Sequence, residues 1–252
     1  MAIDPALVEA SDRSLIDSFR KLAASCGEAF DAGGVFAFST GLSVSLFNGC
    51  IVLRPVAATD LRGALDWLQA RDVPFSAWVD EERATGAARV LTAFGLEPDP
   101  DPDPGMALHP LPSVPRPAAG VRIAQVDEAS LAEHVAMRLA DGMPPEVVAT
   151  LFSSEFLADP DVEMFTAFLD GDPVGGSVAI RSGDVAGVYA VGTIEAARRR
   201  GVGSAATWAC VKAAEDWGCD AVVLQSSEMG LGVYRAMGFE TVVDYARYRL
   251  RP

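Results

Sequence analysis

The sequence predicts an α/β (α+β) protein laid out in two tandem copies, and three observations carry that expectation. From Val121 onward, strand and helix patterns follow one another in the order β-α-α-β-β-β-α-β-α-β. Further back, "VLTAFGLE" (90–97) parallels "VYRAMGFE" (233–240), with Val, Ala, Gly and Glu at the same offsets. Each is preceded by a short apolar strand ("PFSAWV", "AVVLQS") and, before that, by an amphipathic helix, and self-similarity in a fixed register is the mark of a duplication. Between the copies runs "EPDPDPDPGMALHPLPSVPRPAAG" (97–120). Its prolines fix φ and push their predecessors toward extended geometry, so it reads as a strand near Met106–Leu108 followed by a stiff linker. The expected domains are 1–115 and 116–252.

The elements of the second copy can be justified in turn. "VRIAQV" (121–126) alternates as a strand, and Asp127 is the expected cap of a helix carrying Leu131, Val135 and Arg138. Pro144 and Pro145 open a second helix, expected to run through Leu157. "VEMFTAFLD", "VGGSVAIRSG" and "VAGVYAV" make a three-strand meander with turns at "DGDP" and Asp184. A glycine-containing loop then leads into a helix reaching Trp217 and stopped by Gly218, with Ala206, Ala209, Ala213 and Trp217 as its apolar face. "AVVLQS" is a buried strand, "GLGVYRAM" a short helix and "ETVVDYARYRL" a long last strand.

Composition narrows the function. The 252 residues are 50% hydrophobic and 22% charged, with a formal net charge of -15, giving a pI near 4.5. Such an acidic surface argues against nucleic acid and anionic membranes as partners. "MAIDPALVEASDR" has neither a basic n-region nor an apolar h-region, so no signal peptide is expected. No uncharged apolar run reaches the length of a membrane span. Four cysteines without C-x-x-C spacing and two histidines make a metal site unexpected and reduced thiols in the cytoplasm the expected setting.

Against that charge, "AARRRGVGSAAT" (196–207) stands out. Arg198, Arg199 and Arg200 precede a helix start, where the helix dipole is already positive and cations are disfavoured. Gly201 and Gly203 leave the backbone N–H groups around the helix N-terminus open to a ligand. A bound phosphate accounts for both features; an exposed basic turn paired with surface acids is the alternative. No G-K-[ST] follows and the third glycine of a dinucleotide fingerprint is missing, so neither of those phosphate motifs applies.

"RRRGVG" (198–203) fits the Q/R-x-x-G-x-G/A signature, and with "VYRAMGF" some thirty residues on, the chain from Val121 resembles the GNAT N-acetyltransferase superfamily. The resemblance implies a mixed, mostly antiparallel sheet with helices on both faces, here in two tandem copies, the first of them degenerate. It implies acetyl-CoA as co-substrate, its pyrophosphate on the amides from Arg199 through Gly201 and Val202 to Ser204, and its pantetheine arm along Val191, Gly192 and Thr193. It further implies an N-acetyltransferase with direct attack by a primary amine, from a small molecule or a peptide, in a ternary complex. A non-catalytic acyl-CoA-binding or sensor protein is the alternative. Monomer and homodimer both stay open.

Tyr234 is the candidate acid for the departing thiolate, since a phenol of pKa about 10 matches an alkyl thiolate in basicity; the resemblance places a tyrosine there in that role. Ser227 stands where relatives carry a cofactor-contacting Asn, and its alternative reading is a helix N-cap. The general base is not legible: the strand before the loop has no carboxylate, and Asp184, Glu155 and Glu228 qualify by residue type alone. Met143, Phe152, Phe156, Phe165 and Trp208 read as core, and His134 as a helix-face residue. The first copy has "LRPVAATDLR" where the loop would be and Leu91 where the second has Tyr234, so it reads as structural or as a wall of the substrate site.

Overall fold

In a computed structural model, which describes residues 3–100 and 102–250, the first half of the chain contains α1 (Pro5–Cys26), β1 (Glu28–Ala32), β2 (Val35–Ser39), β3 (Asn48–Val52), α2 (Ala58–Gln69), β4 (Ser76–Val79), α3 (Ala87–Phe94), β5 (Leu96–Pro98) and β6 (Asp103–Leu108). The second half contains β7 (Val121–Gln125), α4 (Leu131–Ala140), α5 (Pro145–Leu151), α6 (Ser154–Leu157), β8 (Val162–Leu169), β9 (Asp172–Ser182), β10 (Val185–Thr193), α7 (Val202–Asp216), β11 (Ala221–Gln225), α8 (Glu228–Met237) and β12 (Glu240–Leu250).

These elements fall into two units, each drawn from two stretches of chain. One comprises the described residues of Leu15–Gly105 and Thr241–Pro252. In it β1, β2 and β3 form an antiparallel meander, β4 adds parallel to β3, and β12 pairs antiparallel with β4. Leu61, Leu65 and Leu68 of α2 and Leu91 of α3 are buried with Val52, Ala77 and Tyr248 in the core. Leu, Ala and Gln make good helix residues, and the i, i+4, i+7 spacing of the three leucines puts them on one face.

The other unit comprises the described residues of Met1–Ser14 and Met106–Glu240. Its β7, β8, β9 and β10 are antiparallel in sequence, and β11 runs parallel to β10. The Met106–Leu108 stretch of β6 flanks β11 on the far side. The meander–helix–parallel strand–helix order of β8 to α8 repeats that of β1 to α3, and both short helices end on a left-handed glycine, Gly95 at φ 103° and Gly238 at φ 98°. The mixed, mostly antiparallel sheet with its helices is therefore present in two copies.

Helix α7 lies against β8, β9 and β10, and Ala205, Ala206, Ala213 and Ala214 let it approach closely. Its buried stripe is Val202, Ala206, Cys210 and Ala213, whereas Ala209 and Trp217 of the expected face are only partly buried. Two other expectations need correction. The helix from Pro145 does not continue to Leu157: it stops at Phe152, and Ser153 caps the separate α6 by accepting from the Phe156 N–H at 3.1 Å. Asp127 does not cap α4 either. It closes a turn with Ser130, accepting from the Ser130 N–H at 2.9 Å, and the helix begins one turn later. No helix among the described residues is long and apolar enough to cross a membrane.

Candidate functional site

Strands β10 and β11 pair only from Val185–Gly187 against Ala221–Val223. Beyond that β10 bulges: the register with β9 slips between Tyr189 and Gly192, and Ala190 sits at φ 50°. A left-handed alanine costs on the order of 1 kcal/mol and persists where surroundings impose it. Here Arg138 of α4 donates from Nη2 to the Ala190 carbonyl at 2.9 Å. The bulge turns β10 away from β11. The gap between them opens a cleft of about 730 Å³. In the first copy the equivalent pair stays closed: β3 and β4 remain in register from Gly49–Ser76 to Val52–Val79, and the Asp80 N–H still donates to Val52 at 3.2 Å.

The loop after β10 wraps one end of the cleft. Arg199 (φ 61°) and Gly201 (φ 80°) are both left-handed, which reverses the chain tightly enough to aim the start of α7 back at the gap. Gly201 is the N-terminal flanking residue of α7, and the first helical bond runs from the Ala205 N–H to its carbonyl at 3.0 Å. The N–H groups of Val202, Gly203 and Ser204 thus have no partner within the helix. A side chain at Gly203 would meet nothing nearer than Thr193 Oγ1 at 3.8 Å. The first turn carries no acid. Partial positive charge therefore gathers at one open point.

Most of the residues expected from sequence are brought together. Val191, Gly192, Thr193, Arg198, Arg199, Gly201, Val202, Gly203, Ser204, Ser227 and Tyr234 all line this cleft. Arg198 also donates from Nε to the Thr193 carbonyl at 3.2 Å. Arg200 does not join them: it pairs with Asp170 at 3.0 Å on an exposed surface. Ser227 caps α8, its hydroxyl accepting from the Gly230 N–H at 3.3 Å.

Tyr234 lies edge-on to Phe239 at 5.8 Å between centroids. Burial pushes its phenol up to about 12, and the Cys210 thiol adds to the shift while the Thr207 hydroxyl opposes it. It is a weaker acid than the free side chain assumed above, and it keeps its proton throughout the neutral range.

Among the candidate bases, Asp184 pairs with Arg13, and neither it nor Glu155 nor Glu228 lines the cleft. The carboxylate that does is Asp141, at the end of α4. Nothing in the local pattern of "LADGMPP" marked it, because β10 and α4 meet only in the fold. Phe152, Phe156 and Phe165 are core. His134 is fully buried, its Nδ1 2.8 Å from Thr166 Oγ1. Burial and, second, the charge of Arg138 lower its pKa to about 4. Among the described residues no group of three or more His, Cys, Asp or Glu is placed to hold a metal ion.

A parallel strand pair that is joined over only three residues, with a glycine loop and a helix N-terminus beside it, defines an α/β domain with an anion-ready cleft. Residues 133–239 match the model of the Acetyltransferase (GNAT) family. Solved structures agree at the level of fold. A GCN5-related N-acetyltransferase from Kribbella flavida is 24% identical over 96% of each chain, with a TM-score of 0.73. A GCN5-related N-acetyltransferase from Sphaerobacter thermophilus is 17% identical, covering 100% of this chain and 96% of that one, with a TM-score of 0.63. A tandem GNAT protein from the clavulanic acid biosynthesis pathway is 13% identical, covering 100% of this chain and 98% of that one, with a TM-score of 0.58. No curated protein matches the chain in sequence.

Proposed function

We propose that the chain is an acetyl-CoA-dependent N-acetyltransferase that moves an acetyl group to a primary amine by direct attack in a ternary complex. The observation that carries this reading is a single cleft holding the left-handed glycine loop at one end and a partly buried, protonated tyrosine on its wall. The residues present fit the co-substrate. The unpartnered first-turn amides and the open face at Gly203 suit a pyrophosphate, with Arg198 and Arg199 as its counter-charges. The edge of β10 at Val191–Thr193, freed by the bulge, suits an amide-bearing arm. Ser227 adds a hydroxyl already committed to its helix, and Arg200 would act at longer range only.

Bound acetyl-CoA supplies an activated thioester. Tyr234 supplies the proton for the departing sulfur, and its raised pKa is matched by the raised basicity of a thiolate in the same desolvated cleft. The first copy, with β3 and β4 closed and Leu91 buried in the tyrosine's place, is read as structural, and we take the duplication seam to lie at 115/116. An amine of a small molecule or peptide, in a cytoplasmic setting, completes the reading.

The test is a melting curve with acetyl-CoA followed by thiol release over an amine panel. A ligand-dependent rise in melting temperature with amine-dependent thiol release supports the enzyme. Binding without release with any amine would favour an acyl-CoA sensor instead.

A further inference from the structure

An alkyl amine reaches the site as an ammonium at neutral pH, since its pKa lies near that of lysine, about 10.4. The cleft must hold that cation and take one of its protons before the nitrogen can attack. Asp141 is the one acidic side chain on the cleft wall among the described residues. Its side chain is 12% exposed, and its backbone is anchored by the N–H bond to Met137 at 2.9 Å.

Three features leave its carboxylate ready for a ligand. The carboxylate can lie directly against β10 because residue 192 is glycine: a Cβ there would fall 2.4 Å from Asp141 Oδ2 and 2.7 Å from Arg138 Nη1. Arg138, whose side chain is 1% exposed, approaches Asp141 only to 3.8 Å, close enough for attraction and too far for a hydrogen bond. Arg138 Nε and Nη1 themselves have no hydrogen-bond partner. No hydrogen bond from a described residue reaches the Asp141 carboxylate, although an ionised carboxylate offers about four acceptor sites.

A largely buried charge with unused acceptor sites is costly unless something completes it. An ammonium entering the cleft would do so, beside the β10 bulge where the transfer takes place. We propose that Asp141 receives the acceptor's ammonium and takes its proton, an assignment that rests on the transferase reading above. The charged groups acting on it are Arg138 from its own helix and Arg198 from the glycine loop. Burial raises its pKa, and both arginines oppose that rise.

One N–H bond of the ammonium breaks, the nitrogen keeps the electron pair, and the proton passes to Asp141 and then to solvent. The amine forms its bond to the acetyl carbon, and the C–S bond breaks with its pair on sulfur. Tyr234 protonates that sulfur and is reprotonated by the second proton leaving nitrogen. Ammonium and thioester thus become amide, thiol and one released proton.

The test compares Asp141→Asn and Asp141→Glu with wild type in the full chain, with n-butylamine and spermidine as probe amines. Melting with acetyl-CoA controls for fold and cofactor binding and is expected to match wild type in both variants. Asp141→Asn is expected to lose ~100-fold in kcat/KM and the acidic inflection of its pH profile. Calorimetric binding of the amine to the protein loaded with CoA is expected to weaken about tenfold or more. Asp141→Glu restores both to within about tenfold. Wild-type kcat/KM and an unchanged acidic inflection in Asp141→Asn would overturn the assignment alone, as would loss of the acetyl-CoA shift in that variant. A wild-type chain that turns over no amine and binds no acetyl-CoA overturns the transferase reading, and this assignment with it.

Discussion

Gly203→Glu separates what the fold needs at the loop from what a ligand needs there. Residue 203 lies in the first turn of α7, has no left-handed φ, and has open space where a Cβ would go. Replacing glycine within a helix recovers backbone entropy, and an acid in the first turn meets the helix dipole favourably. Together these should stabilise the free protein by roughly 0.5–1.5 kcal/mol, or about 1–6 °C in Tm for a chain of this size. The same carboxylate projects into the cleft where the pyrophosphate is proposed to sit. Acetyl-CoA at 100 times its Kd should stabilise wild type by about 2.7 kcal/mol, or about 5–11 °C. The variant should show none of that shift. Differential scanning fluorimetry with and without acetyl-CoA reads both effects in one plate. A variant that melts well below wild type without ligand would refute the structural argument, because Gly203 would then be needed by the fold. One that keeps the full ligand-dependent shift would refute the phosphate-binding argument.

Other changes should separate equally cleanly. Tyr234→Phe should lower kcat by ~10²–10⁴-fold while leaving the acetyl-CoA shift intact in the same fluorimetric assay. Arg199→Gly relieves a left-handed arginine while loosening the unfolded chain, so stability should change by less than about 1 kcal/mol; acetyl-CoA affinity should drop about tenfold, with a weaker salt dependence by calorimetry. His134 is held neutral in the fold, with its pKa lowered to about 4 by burial, against about 6.5 when unfolded. The unfolded chain therefore binds the proton first, and stability should fall as pH drops from about 6.5 to about 4, by up to roughly 3 kcal/mol. Denaturant melts of His134→Gln should lack that slope.

The parts of the fold legible in the sequence are those whose signal is local. The glycine loop is a strand–turn–helix read within a dozen residues, and "VYRAMGF" is a single helix with its glycine stop. The meander from Val162 to Thr193 shows as strand patterns broken by turns. Strands β2 and β3 escaped because every residue in each is buried, so neither shows the alternation that marks a half-exposed strand. The break at Phe152 escaped because apolar residues continue across it, and the local signal is only the non-helical Phe152 followed by Ser153 capping the next helix. Asp141 escaped for a different reason: its place on the cleft wall depends on its close approach to Gly192, about fifty residues away, and no short motif encodes that meeting.

The placement of β12 has a consequence for how this chain is made and how it can change. The sheet built from residues near the start takes Thr241–Leu250 as the neighbour of β4, and the sheet built from later residues takes Met106–Leu108 beside β11. A ribosome that has emitted the first half has not yet supplied the strand that half requires. The early sheet waits for nearly the last residues to emerge, with the edge of β4 uncovered meanwhile. Recombination that cut the gene between the copies would leave each fragment one strand short. The two copies are thereby retained together as a single unit of inheritance.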